Sequence, residues 1–317
     1  MSGFSVGNNE HLIRSNIWST QIKQVLLDEL FAMKYVDMIT EFPDGNTINI
    51  PSIGQAEVVD FAEGQAVKYT ALDTGNFTFS INKYKSAATF ITNQMQQYSF
   101  YTSRLIASFV PGQHRALMKA LEVDLLAAGP AAQTASQLNP INGGNHRFVA
   151  GGANNVISIQ DFARALYALK VANVPQTDLI AIVDPSVEYT LNTLTNLVNV
   201  SNNPQWEGII TSGLSTGMKF LKNIYGFDVY TSMNLPSGIS ETINSRVVTN
   251  GVANQFFSAA QNVKPLVGLI RQAPKVDSEY NKDLQREEYV TTCRYGFGFF
   301  RPENFVVVLS DAVQALT

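Results

Sequence analysis

One motif in the sequence is typical of a catalytic nucleophile, the pentapeptide GLSTG at residues 213–217. In the pattern G-x-S-x-G, the serine stands on a sharp turn between a strand and a helix and attacks an acyl carbon, and an acid and then a histidine follow along the chain. The histidines are His11, His114 and His146, and all three precede Ser215. The order that a hydrolase triad needs is therefore not met, and a loop of glycine and serine is the better interpretation.

The other residues that could do chemistry are scattered. Three histidines and the single cysteine, Cys293, lack the spacing of metal ligands. Neither of the phosphate-binding motifs G-x-x-x-x-G-K-[ST] and G-x-G-x-x-G occurs. Glu287 and Glu288 are adjacent, and adjacent residues on a strand point to opposite faces, so they do not form a catalytic pair. We predict no catalytic, cofactor-binding or metal-binding residues, and no enzymatic activity.

The amino-acid composition indicates a function based on contacts of the protein surface with other molecules. Charged residues make up 15% and hydrophobic residues 45% of the 317 residues, and the formal net charge is −4. The low fraction of charged residues has two explanations. Much of the surface is buried against other copies of the chain, since charge is depleted in interface cores, or the chain is a neutral soluble protein. No run of Lys and Arg marks a nucleic-acid-binding patch. No stretch resembles a signal peptide or a membrane span, and one cysteine excludes a disulfide within the chain.

The clearest helical pattern covers residues 113–128. Alanine and leucine recur at three- and four-residue steps along QHRALMKALEVDLLAA, while charged residues share another face. Residues 93–109 can also be helical. Pro111-Gly112 predicts a kink or interruption between the two segments, and Gly129-Pro130 predicts the end of the helix.

The first third of the chain contains segments without an obvious core of their own. Residues 1–15 are polar and aperiodic, and they predict an arm that needs a partner surface, followed by a helix. Residues 52–76 hold two β-prone runs, 55–61 and 66–70, on either side of the turn signal Glu63-Gly64. A two-stranded hairpin is marginal by itself. This hairpin therefore lies either on its own domain or on a neighbouring copy.

The remainder of the chain mixes helices and strands. Residues 129–157 are rich in Gly, Ala, Asn and Gln, and they predict a long loop and the main subdomain boundary. Ser158 and Asp161 form a capping signature before a helix, and LIAIV at 179–183 predicts a buried strand. A short helix is predicted near 218–224. Further strands are predicted at 47–51, 77–81, 227–232, 265–270, 288–293 and 305–309. The final strands are expected to return and pair near the first ones.

The order of these elements resembles the major capsid protein of tailed double-stranded DNA bacteriophages, which has the Hong Kong 97-type fold. The stretches that carry the resemblance are IWSTQIKQVLLDELF, GNTINIPSIG, FTFSINKYKSA, ALEVDLLAAG, FARALYALKVANVPQTDLIAIVDPSVEYTL, YGFDVYTSMNLP and CRYGFGFFRPENFVVVL. They extend over roughly residues 12–312, and their order and spacing carry more weight than any single stretch.

The resemblance implies an α+β fold with five parts. These are an N-terminal arm and first helix (1–35), an extended hairpin loop with flanking strands (36–93), a peripheral domain with a long spine helix and the following loop (94–157), an axial α/β domain (158–260), and return strands that complete the peripheral domain (261–317). The extended loop would reach over an adjacent subunit, in agreement with its lack of a local core.

The resemblance also implies a function. The chain would be a coat protein that self-assembles into pentamers and hexamers of an icosahedral shell enclosing double-stranded DNA, assembled in the host cytoplasm and located in the virion. Its partners would be other copies, a separate scaffolding protein, a portal protein and a decoration protein, with no cofactor, no membrane and no sequence-specific DNA site. The residues expected at contacts between subunits are Val58, Phe61, Lys68, Tyr69, Arg104 and Arg115.

Three alternatives remain open on sequence alone. An encapsulin-like shell has the same fold and would be accompanied by a cargo enzyme rather than by terminase and portal proteins. A serine hydrolase using Ser215 is disfavoured by the order of the histidines. A binding module of a tail or fibre would form a small oligomer with exposed aromatic patches.

Overall fold

The computed structural model describes residues 32–39, 47–53, 60, 63–64, 66, 74–98, 102–193 and 220–311. The helices are α1 (Asn93–Tyr98), α2 (Thr102–Ala132), α3 (Ile159–Val171) and α4 (Pro185–Thr193). The strands are β1 (Asp37–Met38), β2 (Thr47–Ile53), β3 (Thr74–Ser80), β4 (Lys83–Thr92), β5 (Pro140–Ile141), β6 (Gly144–Asn145), β7 (Arg147–Val149), β8 (Leu179–Val183), β9 (Phe220–Ile224), β10 (Phe227–Thr231), β11 (Ile239–Ile243), β12 (Arg246–Ser258), β13 (Leu266–Asn281), β14 (Arg286–Phe299) and β15 (Val306–Asp311). The mixture of helices and strands agrees with the predicted α+β class.

Most of the strands belong to two sheets. The four-stranded sheet has the order β1-β13-β14-β4, in which β13, β14 and β4 run antiparallel and β1 lies parallel to β13. The seven-stranded sheet has the order β7-β15-β12-β8-β10-β9, with β11 paired to β12. The pairs β2–β3 and β5–β6 form two small sheets of their own.

Helix α2 is the longest element, with 31 residues and a length of about 46 Å. The predicted end of the helix at Gly129-Pro130 was wrong, and Pro111-Gly112 does not interrupt the helix, because it continues through both. A proline at position 130 removes the N–H that would normally bond the Leu126 carbonyl, and Gln255 Nε2 donates to that oxygen instead, at 2.6 Å. At position 129, a β-carbon would overlap the Phe305 ring, so the glycine allows close packing rather than ending the helix.

The middle of α2 packs on the four-stranded sheet. Leu117 and Leu121 are buried in one cluster with Cys293 and Tyr295 of β14. Four residues after Leu121, Leu125 and the residue after it enter a different cluster, which belongs to the seven-stranded sheet. One helix therefore contributes to the cores of both sheets.

The seven-stranded sheet is buried on both faces. All five residues of β8 are buried, as the apolar run LIAIV predicts. Its odd-numbered residues face a core with α3 and α4, and Ile180 and Ile182 face the core that contains the end of α2. In the first core, the Phe256 ring lies edge-on to the rings of Phe162 and Phe227, with centroids 5.1 and 5.4 Å apart.

Two local predictions in this sheet have opposite outcomes. The capping box is confirmed, because the Asp161 carboxylate accepts from the Ser158 backbone N–H at 2.8 Å at the start of α3. The short helix near 218–224 was wrong, because β9 pairs antiparallel with β10 there. The two connecting residues, Tyr225 and Gly226, have φ of 50° and 86°, as the two-residue turn of a tight hairpin requires.

The predicted loop 129–157 is more structured than its composition indicates. The segment begins with the last turn of α2. Strands β5 and β6 then pair with each other, and β7 lies at one edge of the seven-stranded sheet. The expected return of the final strands holds for β14, which pairs with β4, and for β13, which pairs with β1. It does not hold for β15, which lies between β7 and β12. Because β15 is apolar on both faces, it needs a sheet covered on both sides.

Strands β2 and β3 form an antiparallel stem, in agreement with the strands predicted at 47–51 and 77–81. The turn at Glu63-Gly64 is also confirmed, with a φ of 84° at the glycine. The β-prone runs 55–61 and 66–70, apart from Asp60 and Ala66, lie outside the described residues, as do the arm and the helix after it. The stem rests on β14, where a β-carbon at Gly296 would lie 2.7 Å from the Ser80 carbonyl oxygen.

Candidate functional site

The candidate nucleophile and the histidines give no support to a catalytic site. Ser215 and His11 lie outside the described residues, and His114 is exposed on α2. His146 is fully buried, and its two ring nitrogens lie 3.0 Å from the Gly144 carbonyl oxygen and 3.1 Å from that of Glu303. Its contacts therefore join β6 to the segment before β15. Within the described part of the chain, no group of His, Cys, Asp and Glu is arranged to hold a metal, and no helix is long and apolar enough to cross a membrane.

Only two of the six predicted contact residues, Arg104 and Arg115, lie on a described element. Four of them, Val58, Phe61, Lys68 and Tyr69, lie outside the described residues. Arg104 is near the start of α2, but its side chain is outside the description, and Arg115 is half-buried on the same helix. Their roles at contacts between subunits stay predictions.

The exposed surface of the four-stranded sheet carries candidate contact residues that the sequence did not predict. One face of β14 and β4 packs on α2, and on the other face β3 lies over the end of β14 near Gly296 and Gly298. The large apolar side chains exposed on this sheet and at its hairpin turn are Tyr84, Phe90, Val276, Tyr280 and Leu284. Single exposed apolar residues are ordinary. Tyr84 and Phe90 lie together on the outer face of β4, and an exposed apolar patch of this kind is a candidate interaction surface.

Charged groups stand beside these aromatic residues. The Arg286 guanidinium lies 4.5 Å above the centre of the Phe90 ring. Arg286 also donates to Glu288 at 2.6 Å, and this hydrogen bond lowers the pKa of the Glu288 carboxyl. The outer face therefore carries both aromatic and paired charged groups. This mixture is typical of protein interfaces, and the charged groups keep the free subunit soluble.

A polar network holds the four-stranded sheet to α2. The Asp124 carboxylate accepts from Lys85 Nζ and from the Tyr295 hydroxyl, both at 2.6 Å, and Lys83 Nζ lies 3.8 Å away. Burial acts to raise the pKa of Asp124, but the bonds from Lys85 and Tyr295 outweigh it and lower the pKa. Burial and then the bond to Asp124 raise the pKa of Tyr295. These groups fix the sheet in register on the helix.

A second network joins the end of α2 to the seven-stranded sheet. Arg147 on β7 donates through Nε and Nη2 to the two carboxylate oxygens of Glu241 on β11, at 3.1 and 2.6 Å. Its Nη1 donates to the Pro130 carbonyl of α2 at 3.2 Å. Burial acts to raise the pKa of Glu241, but the bonds from Arg147 and the Ser136 backbone outweigh it and lower the pKa. The side chains of Arg147 and Glu241 are 3% and 11% exposed, so this is a buried pair with two parallel bonds.

Comparison with solved structures defines the class of fold. The capsid of cyanophage P-SCSP1u matches with a TM-score of 0.73 and 15% identity, over 97% of this chain and 94% of that chain. The mature capsid of bacteriophage PhiM1 matches with a TM-score of 0.68 and 15% identity, over 93% and 91%. A chain of Mycobacterium phage Che8 matches with a TM-score of 0.66 and 15% identity, over 92% and 96%. The fold is the Hong Kong 97-type shell fold, as predicted.

The sequence places the chain in a family. A profile for phage capsid protein matches residues 76–308, which is most of the chain. The chain belongs to the phage capsid protein family. A comparison with curated protein sequences gives no match. The predicted resemblance to bacteriophage capsid proteins, which are structural proteins, is thereby confirmed at the level of the family.

Proposed function

We propose that the chain is the coat protein that forms pentamers and hexamers of an icosahedral shell around double-stranded DNA. The observation that supports this most directly is the extent of the match to the cyanophage capsid, which covers 97% of this chain and 94% of that one. A subunit with the same fold over nearly its whole length can use the same kind of head-to-tail contact, which closes into rings.

In this proposal the two sheets belong to different domains of the subunit. The four-stranded sheet with α2 forms the peripheral domain, and the seven-stranded sheet with α3 and α4 forms the axial domain, which points at the five- and six-fold axes. Because β15 pairs with β7 and β12, the proposal places residues 306–311 with the axial domain, whereas the resemblance implies that residues 261–317 complete the peripheral domain. The stem β2–β3 carries the loop that reaches over an adjacent subunit, and residues 1–35 carry the arm.

The partners follow from the same proposal. Other copies of the chain are the principal partner, and a separate scaffolding protein, a portal protein and a decoration protein complete the particle. The formal net charge of −4 agrees with a shell that has no dedicated basic patch for binding DNA. Assembly takes place in the host cytoplasm and the product is the virion shell.

Electron microscopy of the purified chain, alone and together with the products of neighbouring genes, tests the proposal. We expect closed particles tens of nanometres across. Particles that contain a cargo enzyme and no DNA would favour the encapsulin-like alternative. A solitary species at high concentration, with residues 52–76 folded on its own body, would exclude both kinds of shell.

A further inference from the structure

A notch lies on the outer face of the four-stranded sheet, where the connection between β3 and β4 passes over β14. Its volume is about 280 Å³. Six residues line it: Ile81, Asn82, Lys83, Tyr84, Gln272 and Arg294. Pockets for drug-sized ligands have volumes of about 300–1,000 Å³, so the notch suits one small molecule or one unit of a polymer.

Irregular strand pairing places the lining residues around this notch. The register between β13 and β14 shifts on both sides of Gln272, and such irregularities change the direction of side chains. Gln272 lies opposite Arg294, which in turn lies opposite Tyr84, so the three residues form one row across the sheet. Gln272 Nε2 donates to Thr292 Oγ1 at 3.0 Å, which holds its side chain in place. Ile81 is 3% exposed and supplies apolar surface at the base of the notch.

The charged residues that line the notch are both basic, Lys83 and Arg294, and both are exposed. Lys83 Nζ lies 3.8 Å from the Asp124 carboxylate, which is beyond hydrogen-bond distance. That carboxylate accepts instead from Lys85 Nζ and the Tyr295 hydroxyl, both at 2.6 Å. The closer lysine therefore neutralises Asp124, and the Lys83 ammonium can donate to a ligand. The excess of positive charge favours an oxyanion such as a phosphate group.

The remaining lining residues favour a nucleotide over an acidic peptide. The Tyr84 side chain is 67% exposed beside the basic groups, and an exposed aromatic ring next to basic groups is the arrangement on which unpaired bases stack. Asn82 and Gln272 add side-chain amides, which can hydrogen-bond the edge of a base. A peptide carboxylate would use the basic groups and leave the ring unused. The bases of a duplex are stacked on one another, so the nucleotide must be unpaired.

We propose that the notch binds one unpaired nucleotide, with its phosphate group between Lys83 and Arg294 and its base on the Tyr84 ring. A free nucleotide and a single-stranded segment of nucleic acid offer this same chemistry. The two basic residues are far apart in sequence, which is why no run of Lys and Arg marks the site. The inference goes beyond the proposed shell function and does not depend on assembly of the shell.

Isothermal titration calorimetry on the full chain tests the inference. The probes are deoxyadenosine monophosphate, inorganic phosphate, a four-nucleotide single strand of deoxyadenosine, a closed circular duplex and a short peptide of glutamates. We expect the monophosphate to bind about fivefold or more tightly than inorganic phosphate, because only the nucleotide adds stacking on Tyr84. Tighter binding of the single strand than of the monophosphate would identify a strand as the source of the nucleotide, and the reverse order would identify a free nucleotide. Both orders support the inference.

Substitutions at the notch separate the two parts of the ligand. We expect Tyr84→Ser to weaken binding of the monophosphate about fivefold or more and to leave inorganic phosphate unchanged, whereas Tyr84→Phe should keep the affinity of wild type. Arg294→Gln should weaken both ligands about tenfold, because it removes a charged donor to the phosphate. The matched control is Lys275→Gln, which removes an exposed basic group close to the notch but not in its lining, and no change is expected. Urea midpoints equal to that of wild type show that the variants are folded.

Four results would overturn the inference. The first is no heat of binding for the monophosphate at concentrations up to about 10 mM. The second is equal affinity for the monophosphate and inorganic phosphate, since the base then makes no contact. The third is binding of the closed duplex or the glutamate peptide as tight as that of the nucleotide. The fourth is an equal loss of affinity in Lys275→Gln and Arg294→Gln, which would indicate attraction by the overall charge rather than a site.

Discussion

Asp124 offers the sharpest test of how the four-stranded sheet is held on α2. The substitution Asp124→Asn keeps the shape of the side chain and removes its charge. The carboxylate is 18% exposed and accepts two bonds of 2.6 Å, one from Lys85 Nζ and one from the Tyr295 hydroxyl. Hydrogen bonds to charged groups contribute about 1.5–3 kcal/mol. Because the Lys85 side chain is 35% exposed, solvent screens part of the ion pair.

We therefore expect Asp124→Asn to lower the free energy of unfolding of the isolated subunit by about 2–3 kcal/mol. Urea denaturation followed by tyrosine and tryptophan fluorescence measures this as a lower midpoint with an unchanged slope. The control is Asp277→Asn, which removes one partner of the exposed pair with Lys275, and no measurable change is expected there. A loss below about 0.5 kcal/mol for Asp124→Asn would contradict the reasoning, because that is the level of an exposed pair.

The same substitution has a pH signature. The pKa of Asp124 is lowered from its ordinary value of 3.8 in the folded subunit, so its contribution to stability is present at pH values above 3.8. The contribution is lost as the pH falls through the lowered folded-state pKa. The difference in stability between wild type and Asp124→Asn should stay constant between about pH 5 and 8 and shrink below about pH 4. A difference that persists unchanged to pH 2 would exclude the charge of Asp124 as its origin.

Two further substitutions test other contacts. Arg147→Lys should lower the free energy of unfolding by about 2–4 kcal/mol, because lysine cannot make the two parallel bonds to Glu241, and a urea midpoint equal to that of wild type would contradict this. Gly296→Ala should destabilise by about 1–3 kcal/mol, because its β-carbon meets the backbone of the β3–β4 connection. Gly112→Ala is the matched control, since it has open space on α2, and it should stabilise by about 0.5–1 kcal/mol. Equal thermal shifts of the two alanine variants would refute the packing argument at position 296.

The elements that sequence predicts well are those whose signal is local. The strand β8 is a five-residue apolar run, and the capping box before α3 lies within four residues. The continuation of α2 through Pro130 could not be predicted, because the donor that replaces the missing N–H comes from Gln255, far along the chain. The position of β15 is likewise set by a sheet whose other strands are distant in sequence.

The candidate surface was predicted less well than the fold. The hairpin β13–β14 is much longer than the two predicted strands at 265–270 and 288–293, because the outer half of β13 is exposed on both faces and carries no hydrophobic alternation. The turn Tyr225-Gly226 carried a signal that the helix prediction near 218–224 overlooked, since glycine at the second position of a two-residue turn is typical of a tight hairpin. The residues of the loop that are expected at contacts between subunits lie outside the described part, so their assignment stays a prediction.

The passage of α2 from one sheet to the other has a mechanical consequence. Leu121 packs under the four-stranded sheet and Leu125 under the seven-stranded sheet, so the change of partner takes place within a single helical turn. A force that tilts either sheet is therefore transmitted to the other sheet through helix α2, and the two sheets move little relative to each other. In an assembly of such subunits, we expect curvature to arise from changes of angle at the interfaces between subunits rather than from bending within each subunit.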